Sequence, residues 1–259
     1  MSLYDDIKRF VTSTDGNIGV SIKNLKTGER IDVNEEMMFP SASTIKILIM
    51  AQIYKMAKEG YIRLTDNIVL SDFMKTAGSG ILYQLNSKHK FTIEELITLM
   101  IIISDNTAAN VLIDIADMKN INRMAEDLGM LHTKIQRKMM DFEAAESGKD
   151  NYTCAKDMTH LLELIYAGKV VDKEYSNMML NILKKQQDLG RLDLYLPEDV
   201  LIAHKPGELK LLEHDVGIVF LKNCQYIISV MTNNLSTNLD GRRAIGKISK
   251  LVYDEYVKL

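Results

Sequence analysis

The chain has no tryptophan, three prolines and two cysteines among its 259 residues. Cys154 and Cys224 are too few for a disulfide framework, and we expect both to be free thiols. Neither lies in a Cys-x-x-Cys pair and no Cys/His cluster has zinc spacing, so the sequence predicts neither a metal nor a cofactor. No stretch reaches the roughly 18 apolar residues that a membrane span needs.

Acidic and basic residues are nearly balanced. The formal net charge is −3, which does not favour nucleic acid or an anionic membrane as a partner. The first residues, MSLYDDIKRFVTS, lack the apolar run of a secretory signal. We expect a cytoplasmic monomer as the sequence is written, and an extracytoplasmic protein if a leader was removed ahead of it.

Hydrophobic residues make up 46% and charged residues 26% of the chain, the balance of a soluble globular domain. Apolar periodicity predicts helices at 3–12, 43–59, 106–117, 119–129, 155–167, 173–187 and 240–257, and one that begins at Thr92. Alternation predicts strands at 17–25, 30–34, 200–203, 215–221 and 225–232. Residues 136–153 have weak periodicity and are predicted to form a long loop, and loops of this length are often functional.

This order of elements predicts an α+β fold. We expect an antiparallel five-stranded sheet built from both chain ends and flanked by helices (α/β/α), with an all-helical subdomain inserted. Residues 1–259 form one domain, in which 1–40 and 196–259 make the sheet subdomain and 41–195 the helical subdomain. A cleft is expected where the two meet.

Ser43-Thr44-Ile45-Lys46 places a serine and a lysine one helical turn apart, so both side chains share a face. A helix start favours developing negative charge near Ser43. The apolar residues after Lys46 lower the pKa of a lysine, which lets it act as a base. The Ser-x-x-Lys pattern is common by chance, as 87–90 illustrates, and Ser43 alone also fits a helix cap.

Two further motifs favour a catalytic site. Ser104-Asp105-Asn106 follows an apolar helix and is rare by chance, on the order of 0.04 per chain of this length. Capping of the next helix by Asp105 or Asn106 explains part of the motif but leaves the Ser104 hydroxyl free. Lys205-Pro206-Gly207 ends an apolar segment and adds a cation to the cleft, or is a plain turn lysine. We set aside 26–28 (KTG) because it fits a hairpin turn.

In this order the motifs resemble the set of the class A β-lactamases and penicillin-binding proteins. The flanking residues at 39–42, 77–80, 107–110 and 240–243 are similar as well, so the resemblance covers nearly the whole chain. It implies a β-lactamase/transpeptidase-like fold. It also implies a serine hydrolase that acts through an acyl-enzyme on a small molecule, either a β-lactam or a related amide or ester.

The resemblance implies a role for each motif residue. Ser43 attacks the carbonyl carbon and Lys46 takes its proton, directly or through a relay. Ser104 passes a proton to the leaving nitrogen, while Lys205 assists that step and attracts an anionic substrate.

Substrate binding is implied for Asn106, Gly207 and Glu208. The Asn106 amide binds the substrate's amide side chain and Lys46. The backbone N–H groups of Ser43 and of Glu208, which follows Gly207, form the oxyanion hole.

The chain departs from the family in the long loop. The family's β-lactamases carry a glutamate there, in an Arg-x-Glu-Pro-Glu-Leu-Asn run, which activates the deacylating water. Alignment on Arg137 puts Met139 at that place, and a thioether is no general base. Either Asp141, Glu143 or Glu146 substitutes for the glutamate, or all three are plain solvated acids and deacylation is impaired.

The second departure is Pro206, where the family has a threonine that helps hold the substrate carboxylate. Proline offers neither a hydroxyl nor an N–H, although it is tolerated in an edge strand. Glu208 adds a charge that repels a carboxylate. The Arg242-Arg243 pair either supplies a compensating guanidinium or is simply exposed.

Three hypotheses stay open at this point. The first is a β-lactamase, of full or reduced rate, with a loop acid as base. The second is an esterase, amidase or D,D-peptidase-like hydrolase, because the fold does not fix the substrate. The third is a penicillin-binding protein that stays acylated. The missing loop glutamate favours the second and the third.

Overall fold

The computed structural model describes residues 2–258. Its elements are α1 (Leu3–Ser13), β1 (Asn17–Asn24), β2 (Arg30–Val33), β3 (Phe39–Pro40), α2 (Lys46–Lys58), β4 (Asn67–Val69), β5 (Lys90–Thr92), α3 (Ile93–Ile102), α4 (Asn106–Ala116), α5 (Met118–Asp127), α6 (Phe142–Glu146), β6 (Tyr152–Thr153), α7 (Ala155–Tyr166), α8 (Lys173–Leu183), β7 (Leu201–Leu209), β8 (Leu212–Phe220), β9 (Gln225–Asn233) and α9 (Asn238–Tyr256). The order of the longer helices and of strands β1, β2, β7, β8 and β9 agrees with the sequence pattern, whereas the short strands β3 to β6 and helix α6 were not predicted.

Strands from both chain ends form one antiparallel sheet. Within residues 2–258 the sheet has five strands in the order β2-β1-β9-β8-β7. Helices α1 and α9 pack on one face, where Ile7 and Ile248 are fully buried, and α7 covers the other face. The predicted α+β class with a five-stranded antiparallel sheet is therefore confirmed.

The helices between the two halves of the sheet share a second apolar core. Helix α2 is buried along Lys46 to Tyr54, as expected for a helix that neighbours surround. Thr92 caps α3 through a reciprocal capping box with Glu95, as the sequence predicts. None of the helices within residues 2–258 is long and apolar enough to cross a membrane.

Several element bounds differ from the prediction. Strand β7 runs through Leu209 rather than stopping at Ala203, because it pairs with β8 along its full length. β7 is one of the two edge strands of this sheet, so the missing N–H of Pro206 is tolerated there. The predicted loop contains the short helix α6, which Asp141 caps by accepting from the Ala144 N–H. Cys154 and Cys224 are both free and buried, as predicted.

Candidate active site

Ser43 lies in a 3-10 turn (Ala42–Ile45) just before α2, so the α-helix begins at Lys46 rather than at Ser43. The turn is entered through Ala42, which has a φ of 45°. Strand β7 passes directly beside it. A Cβ on Gly207 would lie 3.1 Å from the Ser43 backbone nitrogen, closer than most side chains tolerate, so glycine permits this approach. The structure thus brings Ser43 next to Gly207.

Lys46 is fully buried and links the two helical motifs. Its Nζ donates to the Ser104 carbonyl oxygen at 2.7 Å, to Ser104 Oγ at 3.0 Å and to Asn106 Oδ1 at 2.9 Å. Burial, and then the nearby Lys205 cation, hold the pKa of Lys46 well below its usual range, against the opposing effect of Asp105. Loss of one proton from this ammonium, which the lowered pKa favours, leaves a lone pair with which Lys46 can accept a proton.

The Ser104-Asp105-Asn106 motif occupies a strained turn between α3 and α4. Ser104 has a φ of 58°, which is uncommon for a residue with a side chain. The Asp105 carboxylate accepts from the backbone N–H groups of Ile81 (2.7 Å), Leu82 (2.8 Å) and Ala108 (2.9 Å). Asp105 therefore both caps α4 and holds the loop before Leu82, while Ser104 and Asn106 remain available to Lys46.

Lys205 projects from β7 and is also fully buried. Its Nζ donates to the Pro206 carbonyl oxygen at 2.9 Å. Burial lowers the pKa of Lys205 to about 7, although Asp188 and Asp215 act in the opposite direction. The positive charge of Lys205 is therefore lost as the pH rises through the neutral range.

The long loop is tied down at both of its sides. Arg137 Nε donates to Asp150 Oδ1 at 2.7 Å in a pair that is mostly buried. Asn110, on α4, accepts from the Met139 N–H at 2.7 Å and donates to the Met139 carbonyl oxygen at 3.1 Å. The Met139 side chain is 8% exposed and lines the cleft. A thioether thus occupies a loop position that lines the same cleft as Ser43.

The candidate general bases are not brought to the cleft. Asp141, Glu143 and Glu146 are all exposed. None of them belongs to the cleft lining within the described part of the chain, which consists of Ala42, Ser43, Gly78, Ser79, Asn106, Arg137, Met139, Met140, Phe142, Asn151, Glu208 and Leu209. Asp141 instead uses its carboxylate to cap α6. The loop therefore presents apolar side chains to the cleft, where the family's deacylating base is expected.

Glu208 is engaged by two arginines at the β7 end of the cleft. Its Oε2 accepts from Arg191 Nη2 at 2.9 Å and from Arg242 Nη2 at 2.6 Å. Fully buried Glu213 accepts from Nε of both arginines, at 2.6 Å from Arg191 and at 3.1 Å from Arg242. Arg242 therefore pairs with carboxylates of the protein, and Arg243 is exposed. Sequence reasoning missed Arg191 and Glu213, because no motif surrounds either residue.

Comparison with known proteins identifies the family of the chain. The model of the β-lactamase enzyme family matches residues 2–256. A β-lactamase of Bacteroides uniformis is 25% identical over 273 aligned positions, which cover 97% of this chain and 90% of that protein.

Two solved structures are similar over nearly their whole length. The β-lactamase of Sphaerobacter thermophilus DSM 20745 has a TM-score of 0.91 and 30% identity, with 99% of this chain and 97% of that one covered. A mutant of PBP-A, solved as an acyl-enzyme complex with penicillin G, has a TM-score of 0.92 and 26% identity, with 99% and 97% covered. The chain therefore belongs to the β-lactamase enzyme family.

Proposed function

We propose that this class A β-lactamase-type serine hydrolase forms an acyl-enzyme on Ser43 and releases it slowly. Lys46 in its deprotonated form takes the Ser43 proton during attack on the carbonyl carbon. Its contact with Ser104 Oγ, at 3.0 Å, gives that proton a path toward the leaving nitrogen. The N–H groups of Ser43 and Glu208 stabilise the oxyanion, a contribution of typically about 3 kcal/mol for one such donor.

Slow release rests on one observation, the buried Met139 side chain at the loop position that lines the cleft. Hydrolysis of the acyl-enzyme needs a water activated by a base, and a thioether accepts protons too weakly for that. The loop acids Asp141, Glu143 and Glu146 are exposed and would reach the ester only if the loop moved. The penicillin acyl-enzyme of the PBP-A mutant supports a β-lactam as a substrate for the same serine chemistry.

The test is the intact mass of the protein during incubation with benzylpenicillin. We expect a penicilloyl adduct that persists after the free penicillin is removed and that is absent from Ser43→Ala. Loss of the adduct as fast as it forms would refute slow release while keeping the nucleophile. A protein that stays unmodified at high penicillin concentration would refute β-lactam recognition.

A second candidate, hydrolysis of an ester or amide without a carboxylate, is favoured by Glu208. Both guanidinium groups at that end of the cleft already bind protein carboxylates. A substrate carboxylate would have to compete with Glu208 for Arg191 and Arg242, and would be repelled by it. Pro206 adds no hydroxyl to help. Neutral substrates avoid this competition.

Glu208→Gln tests the second candidate, with Glu198→Gln as the matched change at an exposed residue outside the cleft lining. Glu208→Gln should free a guanidinium for a hydrogen bond to the penicillin carboxylate, worth about 1.5–3 kcal/mol. This gain corresponds to acylation by benzylpenicillin that is about 10–100-fold faster. Cleavage of neutral p-nitrophenyl acetate is expected to stay unchanged. Equal effects on both substrates would show that Glu208 does not select by charge.

A further inference from the structure

Three potential metal ligands lie together at the start of α7, outside the cleft lining. A ring nitrogen of His132, the Cys154 sulfur and an Asp157 carboxylate oxygen all lie within 4.8 Å of one another. Cys154 and Asp157 are buried, and the His132 side chain is 32% exposed. From this cluster we propose that the protein binds a divalent cation of the zinc class between His132, Cys154 and Asp157.

The buried ring nitrogen of His132 is the first sign of a missing partner. Its Nδ1 has no hydrogen-bond partner among the groups of residues 2–258. Asp157 Oδ1 is the facing oxygen, but it lies 3.8 Å away, too far for a hydrogen bond. Buried polar atoms are seldom left unpaired. A cation between the two atoms would satisfy both, at the roughly 2.0–2.2 Å typical of zinc with nitrogen and carboxylate oxygen.

The carboxylate is held in the orientation that such a site needs. Asp157 Oδ2 accepts from the His132 backbone N–H at 2.7 Å and from Thr133 Oγ1 at 2.8 Å. These bonds leave Oδ1 directed at the imidazole. Hydrogen bonds of this kind to a ligating carboxylate orient metal ligands in known sites.

The donor set suits zinc and its neighbours. Thiolate, imidazole and carboxylate are the three side-chain ligand types of Zn²⁺, and a water completes a tetrahedron. The exposed edge of His132 gives the ion and that water a way in. Binding of the ion breaks the S–H bond of the buried Cys154 thiol. Its proton goes to solvent and the thiolate sulfur binds the metal, without any redox change.

The cluster brackets the loop that lines the cleft. Lys134 and Tyr152 exchange two backbone hydrogen bonds of 2.9 Å. His132 lies two positions before this bridge and Cys154 two positions after it. A bound ion would join the two chain segments beyond the bridge, and we expect it to restrain the loop that contains Met139. The sequence predicted no metal because the ligands come from segments 22 positions apart.

The experiment is titration of the chelator-treated protein with Zn²⁺, and with Co²⁺ as an optical probe. We expect one ion per chain, a thiolate-to-cobalt charge-transfer band in the near ultraviolet, and slower hydrogen exchange at the Lys134 and Tyr152 amides. Cys154→Ser and His132→Gln should each weaken Zn²⁺ binding at least tenfold. Changes to the hydrogen-bond partners of metal ligands already lower metal affinity by about 10–100-fold. The matched controls are Cys224→Ser and His160→Gln, which remove the same groups elsewhere.

Two results would overturn the proposal. One is the absence of the cobalt band in a protein that unfolds cooperatively on heating. The other is equally tight Zn²⁺ binding in the Cys154→Ser and Cys224→Ser variants, which would place the ion at another site. Thermal unfolding of each variant in chelator identifies any substitution that damages the fold. If Cys154→Ser damages the fold, His132→Gln still tests the proposal, because His132 is partly exposed.

Discussion

Replacing Met139 by glutamate should convert a long-lived acyl-enzyme into a turning-over hydrolase. The two side chains have similar length, so the new carboxylate would take the place of the Met139 sulfur and methyl group in the cleft lining. The backbone at this position is fixed by both hydrogen bonds to Asn110. The substitution therefore changes the chemistry of the group while keeping its position.

The expected gain follows from what a positioned base contributes. General-base catalysis is typically worth about 10²–10⁴ in rate, or about 3–5 kcal/mol of activation free energy at 1.36 kcal/mol per decade. Burial opposes ionisation of the new carboxylate, since only 8% of the Met139 side chain is exposed. Its pKa should be raised, and the gain in deacylation should grow with pH through that raised value.

The assay follows decay of the penicilloyl adduct by intact mass after removal of free penicillin. The control is Met139→Gln, because glutamine is nearly identical in shape to glutamate but cannot take a proton. The adduct of this variant should keep the wild-type lifetime. A Met139→Glu adduct that lives as long as that of Met139→Gln, in a variant with wild-type thermal stability, would show that a loop base at this position does not limit release.

Four further results are expected. Lys46→Met should slow adduct formation by about 10²–10⁴, and formation at the wild-type rate would remove Lys46 as the base. Lys205 loses its charge above a pKa of about 7, so acylation by penicillin relative to p-nitrophenyl acetate should fall as the pH rises through 7. The fall should be absent in Lys205→Arg, and an identical fall there would contradict the assignment. Asp105→Ala orphans three backbone amides and should lower the free energy of unfolding by about 3 kcal/mol in urea, whereas a loss below about 1 kcal/mol would contradict its anchoring role. Asp150→Asn removes the mostly buried charged partner of Arg137, which should lower the free energy of unfolding by about 2 kcal/mol and hasten proteolysis of the loop. A loop as resistant to protease as that of the wild type would argue against a role of the ion pair in holding the loop.

The parts of the site that could be predicted are those written in contiguous sequence. Ser43 and Lys46 lie three positions apart, and Ser104 and Asn106 two, so the short backbone between them fixes their relative placement. The capping box of Thr92 and Glu95 was predictable for the same reason. Local geometry determines all these contacts, and it is encoded within a few residues.

What could not be predicted depends on contacts between distant segments. Glu208, Arg191 and Arg242 come from three parts of the chain, and only the pairing of β7 with β8 and the packing of α9 bring their charges together. The full length of β7 was missed because Pro206 interrupts the strand pattern, whereas an edge position tolerates it. The ligand cluster of α7 likewise exists only in the folded chain.

The energetics of the cleft argue that its acylation apparatus is retained for use rather than for stability. A fully buried lysine such as Lys46 is costly, because burial disfavours its charge and apolar residues of similar volume are often at least as stabilising. Ser104 is additionally held at a positive φ, a conformation that costs of order 1–3 kcal/mol. Lys205 adds a second buried lysine beside the first. These unfavourable features coincide at the Ser43 side of the cleft, whereas the loop side presents apolar Met139. In the proposed mechanism the two sides serve different steps, so a loop without a deacylation base would leave acylation intact. This is the combination expected of an enzyme that binds its substrate covalently and releases it slowly.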